Sequence, residues 1–400
     1  MKAATARNVS ARQLAVGLAG YSCFINLYSP QAILPLLSQD FHAGAAQIST
    51  IITAATLAVA ITAPFTGTVA DVIGRKRVIV SAMVLLTVPT VMVSLAPTLG
   101  SVIFWRFVQG LALPPIFAVT VAYIGDEWPA HEATAAAGVY TSGASLGGFS
   151  GRFITGMLSD LIGWRHAFDV LALMTLTGAV LVFWLLPRER KFVRPAGLMA
   201  SGRQMLGHFR NGQLLATYAV GFGVLFCFVA TFTYISFRLA APPYNLSPTL
   251  LGTIFLTYLA GSALTPWTGH AVNRLGRRGL MIGAIGLWMC GIALTLMASL
   301  WAILAGLTLC TICGLMCQSV STGYVTVTAQ AGRSSAVGLY VTAFYFGGSF
   351  GAMLGGVAWN IAGWPACVAL VVSMQAIMTM IVILAWARRT PIATASAETP

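Results

Sequence analysis

Long uncharged runs in this sequence restrict the fold more than any other feature. Residues 170–186 read VLALMTLTGAVLVFWLL and residues 368–387 read VALVVSMQAIMTMIVILAWA, with no charge in either. Each is near the roughly 20 residues a helix needs to cross the hydrocarbon core of a bilayer. Hydrophobic residues make up 58% of the 400 and charged residues only 8%, whereas a soluble domain carries about 25% charged residues. Too little polar material is left to coat a globule of this size. A membrane β-barrel would show segments of about ten residues with alternating polarity, and none is evident. The chain reads as an all-α membrane protein.

Twelve spans are expected. The first six lie at 14–37, 47–70, 78–96, 101–123, 133–158 and 166–187. The second six lie at 212–239, 248–272, 280–298, 301–325, 335–358 and 365–386. With the N-terminus in the cytosol, 18 of the 22 Lys and Arg fall on cytosolic segments, which is the positive-inside pattern. Only Arg106, Arg152, Arg165 and Arg238 lie elsewhere. The net charge of +13 therefore records topology, and no nucleic-acid partner is expected. The first apolar stretch follows Arg12 and exceeds the 7–15 residues of a signal h-region, so it is expected to persist as span 1. All seven cysteines fall inside spans. Cys310, Cys313 and Cys317 share a helical face without a histidine, and packing is their expected role.

The sequence also repeats. Residues 67–78 read GTVADVIGRKRV and residues 269–280 read GHAVNRLGRRGL, so Gly67, Gly74 and Arg75 match Gly269, Gly276 and Arg277. Asp71 is replaced by Asn273. At nearly the same offset, Gly147, Gly148, Gly151 and Gly163-Trp164 match Gly347, Gly348, Gly351 and Gly363-Trp364. Two agreeing offsets point to a duplication of six spans. The expected division is an N-terminal half at 1–187, a basic cytosolic linker at 188–211 and a C-terminal half at 212–400. Parallel repeats of six spans are one transporter architecture, with the solute site near the bilayer midplane between them.

The loop GTVADVIGRKRV resembles the signature loop of the major facilitator superfamily, and Arg106-Phe107-Val108-Gln109-Gly110 resembles its second motif. SPQAILPLLSQDF (29–41), SGASLGGFSGRFITG (142–156) and GWRHA (163–167) look like its YnfM-type branch, close to drug and sugar exporters. The resemblance implies the major facilitator fold, twelve transmembrane helices in two pseudo-symmetric six-helix bundles. It implies a conformational latch at Gly67, Asp71, Gly74, Arg75 and Asp126. Asp71 would meet the N-terminus of span 11 near Arg333-Ser334-Ser335, where serines suit capping and the helix dipole favours a carboxylate. Arg75 would pair with the acidic end of span 4 at Asp126 and Glu127. The resemblance also ties Arg106 to proton coupling and has spans 1, 4, 7 and 10 line the cavity. The expected Gly-Pro step of the antiporter motif is Gly151-Arg152 here, which weakens the inference of antiport.

Charges within hydrocarbon normally face a cavity or a partner. Arg106 and Arg152 are therefore either a positive rim on the substrate cavity or side chains that snorkel or pair with Asp160 and Asp169. The wall candidates are Asn26, Tyr28, Gln31, Arg106, Gln109, Arg152, Tyr234, Tyr258, Gln318, Tyr340 and Tyr345, with hydrogen bonds between helices as the competing role. Gly143, Gly147 and Gly151 share a face that either rocks against span 8 or packs within the half, and Gly347, Gly351 and Gly355 repeat the choice in span 11. None of the nine carboxylates falls at mid-span, so a neutral or anionic substrate is expected. Asp40, Arg106 and Asp169 are the proton-coupling candidates; His42, His166 and His270 read as interfacial. No nucleotide loop of the Gly-x-x-x-x-Gly-Lys type appears, and no enzyme, cofactor or metal site is expected. The expected protein is a monomeric exporter in the bacterial inner membrane with both termini cytosolic. It would exchange a small molecule for protons. Uptake or passive equilibration stays open, as does a transport-inactive sensor.

Overall fold

The computed structural model describes residues 2–189, 207–329 and 332–386. Most of the expected linker, with Arg190, Lys191, Arg194 and Arg203, lies outside the described residues, as does the tail with Arg388, Arg389 and Glu398. Among the described residues all regular structure is helical, and twelve crossing segments follow one another in the expected order. Spans 2 to 7 are Ala45–Ile73, Arg75–Ser94, Leu99–Glu127, Ala130–Ile162, Trp164–Leu185 and Gly212–Ala240, and span 10 is Leu300–Thr328. Spans 8 and 9 run into one another through Thr268–Leu294, which breaks at Gly276; spans 11 and 12 form Arg333–Ala385, broken at Ala362 and Gly363.

The repeat in the sequence is a repeat of turns. Gly74 (φ +101°) and Gly276 (φ +73°) reverse the chain after spans 2 and 8, and Gly163 (φ +88°) and Gly363 (φ +62°) do so after spans 5 and 11. A residue with a Cβ is strained at such angles, which accounts for glycine at both members of each pair.

Two spans differ from the continuous helices expected. Span 1 stops at Leu27, continues as a 3-10 turn at Ser29–Ala32 and resumes as Leu34–Asp40. Pro30 and Pro35 lack the N–H needed for an unbroken ladder. Span 8 is likewise divided into Pro248–Ile254, Thr257–Leu264 and a 3-10 turn at Thr265–Trp267 containing Pro266. Span 11 is capped by Gly332 rather than by a serine, because Ser334 and Ser335 already lie inside the helix.

The glycine stripes pack within each half. Gly143, Gly147 and Gly151 face the backbone of span 1 at Gly17, Tyr21 and Ile25, and Gly347 and Gly351 face span 7 at Phe222 and Phe226. Gly355 meets the ring of Tyr234, also on span 7. The expected sliding face against spans 8 and 2 is therefore displaced by one step. Gly156 meets the Pro248 carbonyl of span 8, and Gly356, 200 residues later, meets Ala46 of span 2. At these two glycines the halves touch backbone to backbone, as small residues allow in membranes.

Candidate functional site

The break in span 1 organises the N-terminal half. The last turn of a helix leaves carbonyls without partners, and here Arg106 on span 4 satisfies them. Its Nη1 donates to Asn26 O (2.9 Å) and Gln109 Oε1 (2.6 Å), and its Nη2 donates to Leu27 O. Around it, Gln109 Nε2 donates to Thr90 Oγ1 (2.6 Å), Thr90 Oγ1 to Asn26 Oδ1 (3.1 Å) and Asn26 Nδ2 to Thr175 Oγ1 (2.8 Å). Spans 1, 3, 4 and 6 are thus joined by a fully buried polar network. Two more of the arginines away from the basic face do the same work. Arg165 donates to Ser94 O and Ala96 O at the end of span 3, and Arg238 donates to Thr295 O, Leu296 O and Met297 O at the end of span 9.

Arg152 does not cap a helix end. It lies on span 5, 2% exposed, at one end of a cavity of about 520 Å³ between the halves, a volume ordinary for a small-molecule site. Its Nε donates to Gln31 Oε1 (2.8 Å) and its Nη1 to Gly148 O (2.5 Å). The guanidinium carbon stands 4.9, 4.6 and 4.8 Å from the ring centres of Tyr28, Phe255 and Tyr258, where each ring's quadrupole attracts a cation. Among the described residues no carboxylate pairs with it: Asp160 accepts from Thr249, and Asp169 from Ser94 and His166. The broken backbone of span 1 brings Tyr28 and Gln31 to this end of the cavity. The cavity runs from there to Thr141 and Thr326, both exposed on the face that carries the 67–78 loop.

Of the expected wall residues, Tyr28, Gln31, Arg152, Tyr258, Gln318 and Tyr345 line this cavity. Asn26, Arg106 and Gln109 do not; they belong to the network just described. Tyr234 and Tyr340 are also off the wall. Tyr234 Oη donates to Ala352 O (2.6 Å), and Tyr340 Oη shares a hydrogen bond with Ser321 Oγ (2.6 Å), so both tie helices together. The sequence reading missed Phe24, Tyr140, Phe228 and Phe344, which make the wall largely apolar and aromatic. Tyr140, Ala144, Gly148 and Arg152 follow a spacing of four along span 5, so Arg152 could have pointed to Tyr140 through helical periodicity. The missed wall also shows that spans 5, 8 and 11 contribute alongside 1, 7 and 10, while span 4 does not.

The proton-coupling candidates all lie off this wall. Asp40 accepts from Trp164 Nε1 (3.1 Å), and Asp169 accepts from Ser94 Oγ (2.5 Å) and lies 3.3 Å from His166 Nδ1. At the opposite face, Arg75 Nη2 is 2.6 Å from Asp126 and 3.8 Å from Asp71. Glu189 accepts from the N–H of Lys76 (3.3 Å) and so covers the start of span 3. No bond joins Asp71 to span 11 among the described residues, and a Cβ at Gly67 would meet nothing, so Gly67 makes no close helix approach in this conformation. Partial burial holds the Asp71 carboxyl above its ordinary value; Arg75 opposes that rise and Asp126 adds to it.

Twelve helices in two like-oriented sets around a central cavity define a multi-pass membrane transporter of the parallel-repeat class. The Major Facilitator Superfamily profile matches residues 14–241 and 239–400, so the chain belongs to that superfamily. It is 33% identical over 372 residues to the inner membrane transport protein YnfM of Escherichia coli K12, covering 92% of this chain and 88% of YnfM. It is 28% identical over 357 residues to the uncharacterized MFS-type transporter YybF of Bacillus subtilis 168, covering 89% of this chain and 88% of YybF. The fold matches the nucleoside transporter NupG with a TM-score of 0.76 at 14% identity, over 94% of this chain and 100% of NupG. It matches the human organic anion transporter MFSD10 (TETRAN) with a TM-score of 0.70 at 16% identity, over 94% and 99% of the two chains.

Proposed function

We propose that this chain exports a small organic anion across the bacterial inner membrane by alternating access, with Arg152 holding the anionic group. The observation that carries this reading is a buried arginine on the wall of the central cavity with no carboxylate beside it among the described residues. A charge in that position costs roughly 2.5–3.5 kcal/mol on insertion scales, and an arginine cannot shed its proton to escape the cost. Its aromatic cage offsets part of this, and an anion would offset the rest. The aromatic wall suits a ligand whose remaining body is apolar. The organic anion transporter among the structural neighbours adds plausibility to that substrate class.

Cytosolic termini and a cytosolic 67–78 loop, supported by the distribution of Lys and Arg, make the present conformation inward-facing. Export in exchange for protons is the direction expected from the resemblance to drug and sugar exporters. A second reading is a facilitator that follows the membrane potential. It is favoured by one observation, that no carboxylate lines the described cavity wall to carry a coupled proton.

The test uses everted vesicles energised to an acidic interior, challenged in turn with anionic, neutral and cationic aromatic compounds. The expected result is alkalinisation on adding the anions, lost in Arg152→Ala vesicles that contain normal amounts of protein. Anion flux without a pH change supports the facilitator. A response confined to cations overturns the substrate class.

A further inference from the structure

The end of the cavity that holds Arg152 is also where the two halves grip one another. Gln31 belongs to span 1, and its amide is occupied on both sides: Oε1 accepts from Arg152 Nε (2.8 Å), and Nε2 donates to Thr233 Oγ1 of span 7 at a longer 3.3 Å. Thr233 and Gln31 are 0% and 1% exposed. The Arg152 cage crosses the same boundary, since Tyr28 comes from span 1 but Phe255 and Tyr258 come from the other half. Two donors nearby have no acceptor. Tyr28 Oη is buried without a hydrogen-bond partner, and Arg152 Nη2 makes none among the described residues.

Resting on the anion-transport reading, the geometry points to a site that recognises a carboxylate and releases the sealed end in one step. A substrate carboxylate accepts from Arg152 Nη2 and Tyr28 Oη and takes the place of Gln31 Oε1 as the guanidinium's acceptor. The Gln31 amide is then free to turn, which draws Nε2 off Thr233. The paired guanidinium also attracts the rings of Phe255 and Tyr258 less, because that attraction depends on uncompensated positive charge. Both interactions that cross the halves at this depth weaken together. A ligand shifts a conformational equilibrium only by its differential affinity for the two states, and here the difference is the exchange of Gln31 for the carboxylate. Gln31 is therefore a positioning residue that stands in for the substrate's anionic group. Other contacts between the halves, among them Asp160 with Thr249 N (2.8 Å), Thr56 with Ser349 (2.9 Å) and Ser49 with Ala352 O (3.3 Å), open in the same movement.

The test measures spin-label distances between Leu161→Cys and Leu250→Cys, exposed positions at the ends of spans 5 and 8. Cys290, the one exposed cysteine, is replaced by serine in that background. Full-length protein in nanodiscs is titrated with benzoate, salicylate or phenylacetate, with benzamide as the uncharged control, and binding is followed by calorimetry. The expected result is that a carboxylate raises the long-distance population about tenfold, equivalent to about 1.4 kcal/mol, while benzamide does not. Gln31→Leu is expected to show the long distance without ligand and still bind the carboxylate. Thr233→Val, which leaves Arg152 and Gln31 intact, moves in the same direction by less. A carboxylate that binds without lengthening the distance overturns this coupling and leaves the transport reading standing, as does a Gln31→Leu protein that keeps the short distance. Absence of binding by all three carboxylates overturns both.

Discussion

Arg106 and Arg152 lie in the same half of the molecule, nearly fully buried, and face opposite surroundings. Arg106 meets two helix-end carbonyls and a glutamine that cannot move far, within a network closed among spans 1, 3, 4 and 6. Arg152 meets one glutamine oxygen, one carbonyl of its own helix and three rings drawn from both halves. Equal burial therefore says nothing about role. What separates a structural from a binding arginine is whether its acceptors belong to rigid backbone of one body or to side chains at a moving boundary.

The largest effect that would break this contrast concerns folding. Arg106→Leu leaves the Leu27 carbonyl and the Gln109 oxygen without a donor, at about 1–3 kcal/mol for each unsatisfied group, and leaves the Asn26 carbonyl with Ser29 Oγ alone. The expected outcome is loss of most monodisperse protein on detergent extraction, whereas Arg152→Gln extracts normally. A normal yield of Arg106→Leu removes the distinction.

Arg152→Gln is instead expected to lower anion transport at least tenfold, equivalent to about 1.4 kcal/mol, in proteoliposomes matched for protein content. The glycine pairs sharpen the same point. A side chain at Gly151 strikes the Ile25 backbone inside one half, and one at Gly156 strikes the Pro248 carbonyl across the boundary. Gly151→Val should therefore reduce yield. Gly156→Val should keep yield but hold the end beside Arg152 open, as read by modification of a cysteine introduced at Leu250.

The smallest effect is at the far face. Arg75 and Asp126 form an ion pair that is partly exposed, a class worth about 0–1 kcal/mol, so Asp126→Asn should barely change the melting temperature. Asp71 has a raised carboxyl pKa in the folded protein. Its contribution to stability is full below the unfolded-state value and is lost as pH rises through the folded one. Relative to the parent protein, Asp71→Asn should thus gain melting temperature as pH rises through the carboxylate range. A difference that shrinks as pH rises contradicts that sign.

Much of the architecture is legible in the chain because apolar length and glycine turns are local properties. Gly74, Gly163, Gly276 and Gly363 sit where the backbone needs positive φ, so the repeat is written at the turns themselves. The site is only half legible. Tyr28, Gln31 and Arg152 stand out as polar residues within apolar spans, but so do Asn26, Gln109 and Tyr234, and sequence spacing does not tell which neighbour completes each hydrogen bond. The deciding event is the break of span 1 at Leu27. It frees the carbonyls that engage Arg106 and leaves Tyr28 and Gln31 for the cavity. Pro30 and Pro35 announce a break, yet its consequence for an arginine 79 residues away from Leu27 appears only when the helices are packed.

The central claim is that Arg152 holds an anionic group inside the cavity, and calorimetric titration of the purified protein with benzoate and benzamide tests it most directly. The two ligands share a ring and differ in charge. The account predicts benzoate binding at least tenfold tighter than benzamide, with the preference abolished in Arg152→Gln and retained in a folded Arg106→Lys protein. Equal affinity for the two ligands, or a charge preference that survives Arg152→Gln, would contradict it.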